Sequence, residues 1–307
     1  MERDFNFVIN SILNIQKAWC NDTQNELSHM SFPDPMLGFR RDLLKGDMYR
    51  EWGRWFIEQF IDVKYLSSNV TYPEIFYDVF RIIDTICGWT YDRTDKMEVS
   101  GIISRYVLQR VKIITESNKR RRVSLSERRE LLDLLGEKPR CWLTGMPFSP
   151  EAIAIFLGER DVKIKLPDYV DKYMPIGLVE RDLKIEVDHL YPFALGGDDS
   201  IENFRLICGW ANMVKSSQVS MYGRGTKYTK SIRPYQSIDN YYWAIRTLGV
   251  KRKCECDGCK NNLENSQLTI SSFHGAGKII NPISMKIMCY EHAYENDRFV
   301  LRTNFEL

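Results

Sequence analysis

The spacing of apolar residues changes character at Lys138-Pro139, and that change limits what the chain can fold into. Upstream, apolar residues recur at helical intervals. Phe7, Val8, Ile12, Leu13 and Ile15 do so within 5–19, and Tyr49, Trp52, Trp55, Phe56 and Phe60 within 47–61. The spans 72–87 and 97–116 repeat the pattern, the first with Pro73 near its start, where a missing N–H costs nothing. Pro33, Pro35 and Gly38 interrupt the first two helices. Ser124 or Ser126 is the N-cap candidate for a helix over 127–135. Downstream of Pro139 the chain is a mixture of short apolar runs, Gly, Pro and Cys, which suits a compact unit of mixed structure. The expected fold class is α+β. A helical region over 1–125 precedes a mixed core over 138–235 and a small cysteine-bearing module over 250–307.

Composition excludes several classes. The 307 residues are 44% hydrophobic and 27% charged, as in ordinary globular proteins. No stretch approaches the roughly 18 apolar residues that would span a bilayer. Met1-Glu2-Arg3-Asp4 lacks the basic and apolar regions of a secretory leader, so a cytoplasmic location and no membrane partner are expected. The net charge is only +2, and the distribution is more informative than the total. Residues 101–140 hold 11 Lys or Arg against 5 Asp or Glu, including the run Lys119-Arg120-Arg121-Arg122. Arg224, Lys227, Lys230 and Arg233 form a second basic stretch, followed by Lys251-Arg252-Lys253. Basic segments on either side of a site suit a polyanion, although either stretch alone reads better as a solvated face.

Between them lies the densest concentration of chemistry-bearing residues. The span 184–189 reads as a strand ending in the polar pair Asp188-His189. Pro192 and Gly196-Gly197 favour a loop with left-handed positions. Apolar character resumes at Ile201, Asn203 sits inside that segment, and 208–217 suits a short helix carrying Asn212 and Lys215. Strand, loop, strand and helix together form a scaffold able to bring Asp188 to Asn212.

In order, Asp-His, Pro, Gly-Gly, Ile-x-Asn, Leu-x-Cys and Asn-x-x-Lys resemble the HNH, or ββα-metal, endonuclease family. The resemblance covers about a quarter of the chain, from Cys141 to around Ser217. The final position is Asn212 where many members carry His. The resemblance implies a ββα nuclease core that cuts double-stranded DNA with Mg²⁺. Phosphodiester cleavage needs an activated water and a Lewis acid on the phosphate. His189 is the candidate general base, since imidazole titrates near neutral pH. Asp188 and Asn212 offer hard oxygen ligands suited to Mg²⁺. The resemblance makes Asn203 a positioning residue behind His189, and gives Lys215 the task of neutralising phosphate or steadying the helix. Asp198 and Asp199 read as turn acids.

The cysteines point to a second metal. Four of the eight lie in the last 54 residues. Clustering of that kind, in a compartment that keeps thiols reduced, indicates a metal site. Cys256-x-x-Cys259 paired with Cys289-x-x-His292 makes an ordinary Cys₃His set for structural Zn²⁺, with Asp257-Gly258 as its turn. Cys254 is an alternative ligand and His274 an outside one. Cys141 and Cys208 stand where other HNH domains carry two-cysteine knuckles. Each is single here, and both are expected to be buried apolar residues.

A type II restriction endonuclease is the occupation expected, because such a centre is paired here with a helical region and a zinc module. A palindromic recognition site would then favour a homodimer. Competing readings are a partner-triggered antiphage nuclease, a homing-type or phage-packaging nuclease, an RNA nuclease, and a noncatalytic zinc protein that binds DNA.

Overall fold

A computed structural model describes residues 2–29, 34–66, 69–115, 121–171, 179–193, 197–222, 238–272, 282–293 and 299–301. Lys119, Arg120, Gly196, Arg224, Lys227, Lys230, Arg233 and His274 lie outside them.

The chain opens with α1 (Glu2–Leu13). The apolar pattern over 5–19 does not run as one helix. Asn14 takes extended backbone and its side chain accepts the Gln16 N–H, so a separate 3₁₀ turn, Ile15–Trp19, begins there. After α2 (Asn21–Ser28) and α3 (Arg41–Glu58), the chain forms α4 (Tyr72–Cys87) and α5 (Arg93–Thr115). The start of α4 is set by a capping box. Glu74 accepts both the N–H and the hydroxyl of Thr71 at 2.7 Å. Ile75, Val79 and Ile83 on α4 then face Ile103, Val107 and Val111 on α5, each set four residues apart, in one buried cluster. Burying each such side chain stabilises the pair by roughly 2 kcal/mol before entropy is counted.

A second core extends from Leu131 to Ala293. It begins with α6 (Leu125–Asp133), whose cap is Ser124 rather than Ser126, and α7 (Pro150–Phe156). Next come β1 (Tyr169–Asp171), α8 (Glu180–Leu183), β2 (Ile185–His189), β3 (Phe204–Cys208) and α9 (Gly209–Lys215). The long helix α10 (Ile238–Lys251) precedes β4 (Leu268–Ser272), β5 (Met285–Cys289) and β6 (Phe299–Leu301). The strands pair antiparallel as β1–β6, β2–β3 and β4–β5. Helices and small antiparallel sheets together make the fold α+β. The spans 138–235 and 250–307 share this one core. Trp210 and Val214 of α9, Ile245 and Leu248 of α10, and Leu268 and Ile287 of β4 and β5 all belong to it.

Buried ion pairs fasten the helical region to this core. Asp47 on α3 is 2% exposed and accepts from Arg246 at 2.6 Å and from the Met221 N–H at 2.7 Å. Arg40, also 2% exposed, pairs with Glu255 and donates to the Met285 carbonyl at 2.8 and 3.1 Å. Removing one partner of such a pair leaves an uncompensated buried charge, so these contacts fix relative placement firmly. Among the described residues, no helix is long and apolar enough to cross a membrane.

Candidate functional site

Antiparallel pairing places Asp188 opposite Arg205 and His189 opposite Phe204 at the end of the β2–β3 hairpin. Helix α9 follows β3 directly and lies against both strands. Alternation along β2 turns Glu186 and Asp188 toward α9, and Asn212 and Lys215 meet them from one face of that helix. Asn212 Nδ2 donates to Glu186 at 2.5 Å, and the Lys215 ammonium donates to Asp188 Oδ1 at 2.8 Å and to the His189 carbonyl at 3.0 Å.

Asp188 is 5% exposed. Its second oxygen accepts the Trp142 indole N–H at 3.2 Å. Burial raises its pKa, against the lowering effects of the Lys215 charge and of the bonds from Lys215 and Trp142. Lys215 is itself buried, so its charge is spent within the protein and fastens the end of α9 to the tip of β2. A carboxylate has room for about four acceptor contacts, so Asp188 retains lone pairs for a cation. The Asn212 Oδ1 accepts no hydrogen bond among the described residues.

His189 points to the other face of β2. Its ring lies edge-on to Phe204, tilted against Phe193, and its Nε2 is 2.8 Å from Asp199 Oδ1. Asp198 behaves as a turn acid, accepting from the Ser200 N–H and hydroxyl. Asp199 does more: besides His189 it holds Arg121, whose N–H donates to Oδ2 at 3.0 Å and whose guanidinium reaches the Asp199 carbonyl. Burial opposes ionisation of Asp199, but the bonds from Arg121 and His189 outweigh it and hold its pKa below the usual range. The Arg121 guanidinium is also clamped to Glu127 at 2.7 and 2.9 Å, so this member of the basic run works internally.

Asn203 ties the loop between the strands. Its Oδ1 accepts the Tyr191 N–H at 2.8 Å, and its Nδ2 donates to the carbonyls of Tyr191 at 3.1 Å and Asp198 at 2.9 Å. Gly197 lies so close to the Tyr191 carbonyl that a Cβ could not fit. Glycine is required there by close approach, whereas the sequence suggested a left-handed backbone.

Two residues of this arrangement escaped the sequence reading, and Asp199, read there as a turn acid, instead meets His189 and Arg121. Glu186 carried a signal, since it lies two residues before Asp188 and so faces the same way. Trp142 carried none, because loop geometry decides what it touches.

The C-terminal cluster corrects one ligand. Cys254, Cys259, Cys289 and His292 bring their ligand atoms within 4.8 Å of one another, whereas Cys256 is not among them. The backbone explains the choice. Cys254 N–H bonds the Asn261 carbonyl, Glu255 N–H bonds the Ile287 carbonyl, and this pinning directs the Cys254 thiol to the end of β5. Cys256 starts the tight turn instead, its carbonyl accepting the Cys259 N–H at 3.1 Å, with Gly258 at φ +76°. His292 Nδ1 is 3.2 Å from Cys289 Sγ and 3.7 Å from Cys254 Sγ, and the Cys259 and Cys289 sulfurs are 3.9 Å apart. A tetrahedron with Zn–S near 2.3 Å has edges of roughly 3.8 Å, so this set could hold a metal ion such as zinc. Burial opposes ionisation of Cys289, but bonds from Asn261 and from the Glu291 and His292 N–H groups lower its pKa to about 7. The Cys141 and Cys208 sulfurs are fully buried and 3.6 Å apart.

No protein-family model, curated protein or solved structure matches the chain.

Proposed function

We propose that this chain is a Mg²⁺-dependent endonuclease of the HNH type that cuts double-stranded DNA at specific sites, with a structural zinc in its C-terminal segment. The observation that supports the reading is the β2–β3 hairpin with α9 against it, which places Asp188 and His189 at one strand end, Asp188 turned toward the face of α9 that carries Asn212 and Lys215 and His189 toward the other face. In this reading Asp188 and Asn212 hold the cation through their oxygens. The bound ion would supply Lewis acidity to the scissile phosphate. His189 takes the proton from the attacking water, and Asp199 orients the imidazole and stabilises the imidazolium that results. Asn203 keeps the loop behind His189 in register. Lys215 positions Asp188. Because Phe193 and Phe204 flank the His189 ring, DNA binding must uncover the imidazole.

Four ligand atoms at tetrahedral spacing support structural zinc, with Cys254 replacing Cys256 in the set. The test is incubation of purified protein with plasmid DNA and, separately, RNA, with Mg²⁺ and with EDTA. Discrete DNA fragments that need Mg²⁺ are expected. A smear would remove site specificity, cleavage of RNA alone would move the substrate, and no cleavage with any divalent metal would leave a DNA-binding zinc protein.

A further inference from the structure

Helix α3 turns its pairing groups inward and its aromatic side chains outward. Asp47 and Glu58 face the rest of the molecule, where they meet Arg246 at 2.6 Å and Arg110 at 3.1 Å. On the opposite side Met48, Tyr49, Trp52, Trp55 and Phe56 are all exposed, from 37 to 65%. At 3.6 residues per turn these five fall within an arc of about 120°, so they form one stripe. Within it Trp52 stacks on Phe56, with ring centroids 5.4 Å apart. A helix ordinarily buries such a stripe and solvates its other face. With a whole aromatic side chain at 150–250 Å², the five leave roughly 600 Å² uncovered. A contiguous apolar patch of that size marks an interaction surface. Two glycines carry a second signal. Gly46 and Gly53 lie along one edge of the stripe, seven residues apart, and nothing beyond the helix backbone itself comes within 4 Å of where a Cβ would stand. An interior glycine weakens a helix relative to alanine, and no packing within this chain requires either one.

We propose that the exposed stripe of α3 is the surface through which two copies of this chain form a two-fold dimer. Area is the first reason. Two copies packed on this face hide about 1,200 Å² from these side chains alone, where specific interfaces begin. Shape is the second. A two-fold contact requires one patch to be complementary to itself, and α3 carries bulk and notch side by side. Tyr49 or Trp52 of one copy can enter the gap beside Gly46 or Gly53 of the other. Charge is the third, and it sets the direction. Arg41 and Lys45 stand at the start of α3 and Asp62 just beyond its end. An antiparallel crossing brings these opposite charges together and keeps like charges apart. A nucleic-acid strand fits the face less well. Its phosphates need cations among the rings, whereas Arg50 and Arg54 point away from the arc that runs from Met48 to Phe56.

Sedimentation velocity of the full chain over a range of concentrations tests this. A species of twice the 36.2 kDa chain mass is expected. Trp52→Glu combined with Trp55→Glu should weaken association about 100-fold or more, with the circular dichroism spectrum unchanged because both side chains are exposed. Gly46→Leu should weaken it about tenfold, while the dilute monomer melts at an unchanged or higher temperature, since leucine favours a helix over glycine. A purely structural glycine would lower that melting temperature instead. Trp89, fully exposed on the turn after α4, is the control, and Trp89→Ala should leave the dimer intact. A chain that is monomeric at every concentration overturns the proposal, and so does a dimer indifferent to the Trp52 and Trp55 changes or lost with Trp89→Ala. A monomer whose tryptophan fluorescence is quenched by single-stranded DNA would give the face to nucleic acid and overturn it equally. None of these readouts depends on cleavage, so a dimer that cuts nothing would sink the nuclease reading and leave this one standing.

Discussion

Asp199 Oδ1 lies 2.8 Å from His189 Nε2, and the two side chains are 15% and 5% exposed. A carboxylate held against an imidazole in so enclosed a place fixes the orientation of the ring. Arg121 in turn secures Asp199, so a residue from the basic run reaches His189 through one intermediate. For the proposed cleavage, His189→Ala should lower single-turnover rate by about 10²–10⁴-fold while preserving DNA affinity in a gel-shift assay. A variant that cuts at the wild-type rate removes His189 as the base. Asp199→Asn should cost about 10–100-fold in the same rate and shift its pH profile, with little change in DNA binding. An unchanged profile would reduce Asp199 to a loop contact.

Lys215 and Asp188 form a pair whose side chains are 7% and 6% exposed. Lys215→Met should destabilise the protein by about 3–5 kcal/mol, because the carboxylate is left buried without its counter-charge. Urea denaturation measures this. The double variant Asp188→Asn with Lys215→Met should recover a large part of the loss. If the single variant is neutral, the ammonium does not hold α9 to the hairpin.

The corrected ligand set makes the zinc prediction selective. Mass spectrometry under native conditions should find one zinc per chain. Cys254→Ser and Cys259→Ser should each lose it and lower the melting temperature, because metal affinity contributes directly to folding. Cys256→Ser should keep both zinc and stability. Retention of metal by Cys254→Ser together with loss by Cys256→Ser would restore the set suggested by residue spacing.

Glu127 provides a pH signature for the α6 cap. The Arg121 guanidinium first, then the Ser124 N–H and hydroxyl, hold its pKa down to about 2 from the ordinary 4.5. The folded value is below the unfolded one, so the stabilisation is complete above pH 4.5 and fades as pH falls toward 2. Glu127→Gln should flatten the melting temperature over that window relative to wild type. Parallel curves for the two proteins would show that the cap does not report on Glu127 ionisation.

Much of the fold was legible in the order of residues. The span 72–87 was bounded correctly because Thr71, Pro73, Glu74 and Gly88 are local signals that act within one turn of the helix. The strand ending at His189 and the helix through Asn212 were legible because period two and period 3.6 are properties of the backbone itself. Where the pattern over 5–19 misled, the cause was equally local: an Asn14 side chain that offers the backbone an alternative to continuing the helix.

The sequence by itself therefore determined which segments coil or extend, which faces are apolar, and which residues could do metal or proton chemistry. Only the tertiary structure decided their partners. Cys254 displaces Cys256 because β5, more than thirty residues away, pins the backbone beside it. Asp199 meets His189, and Asn212 meets Glu186, through a hairpin and a helix whose relative placement is set by the shared core. The helical region meets the second core through the Asp47–Arg246 and Arg40–Glu255 pairs, which join segments that share no sequence pattern. Periodicity records how a chain interacts with itself over a few residues. Contacts over tens of residues depend on the angles at which finished elements pack, and spacing in the sequence does not encode those angles.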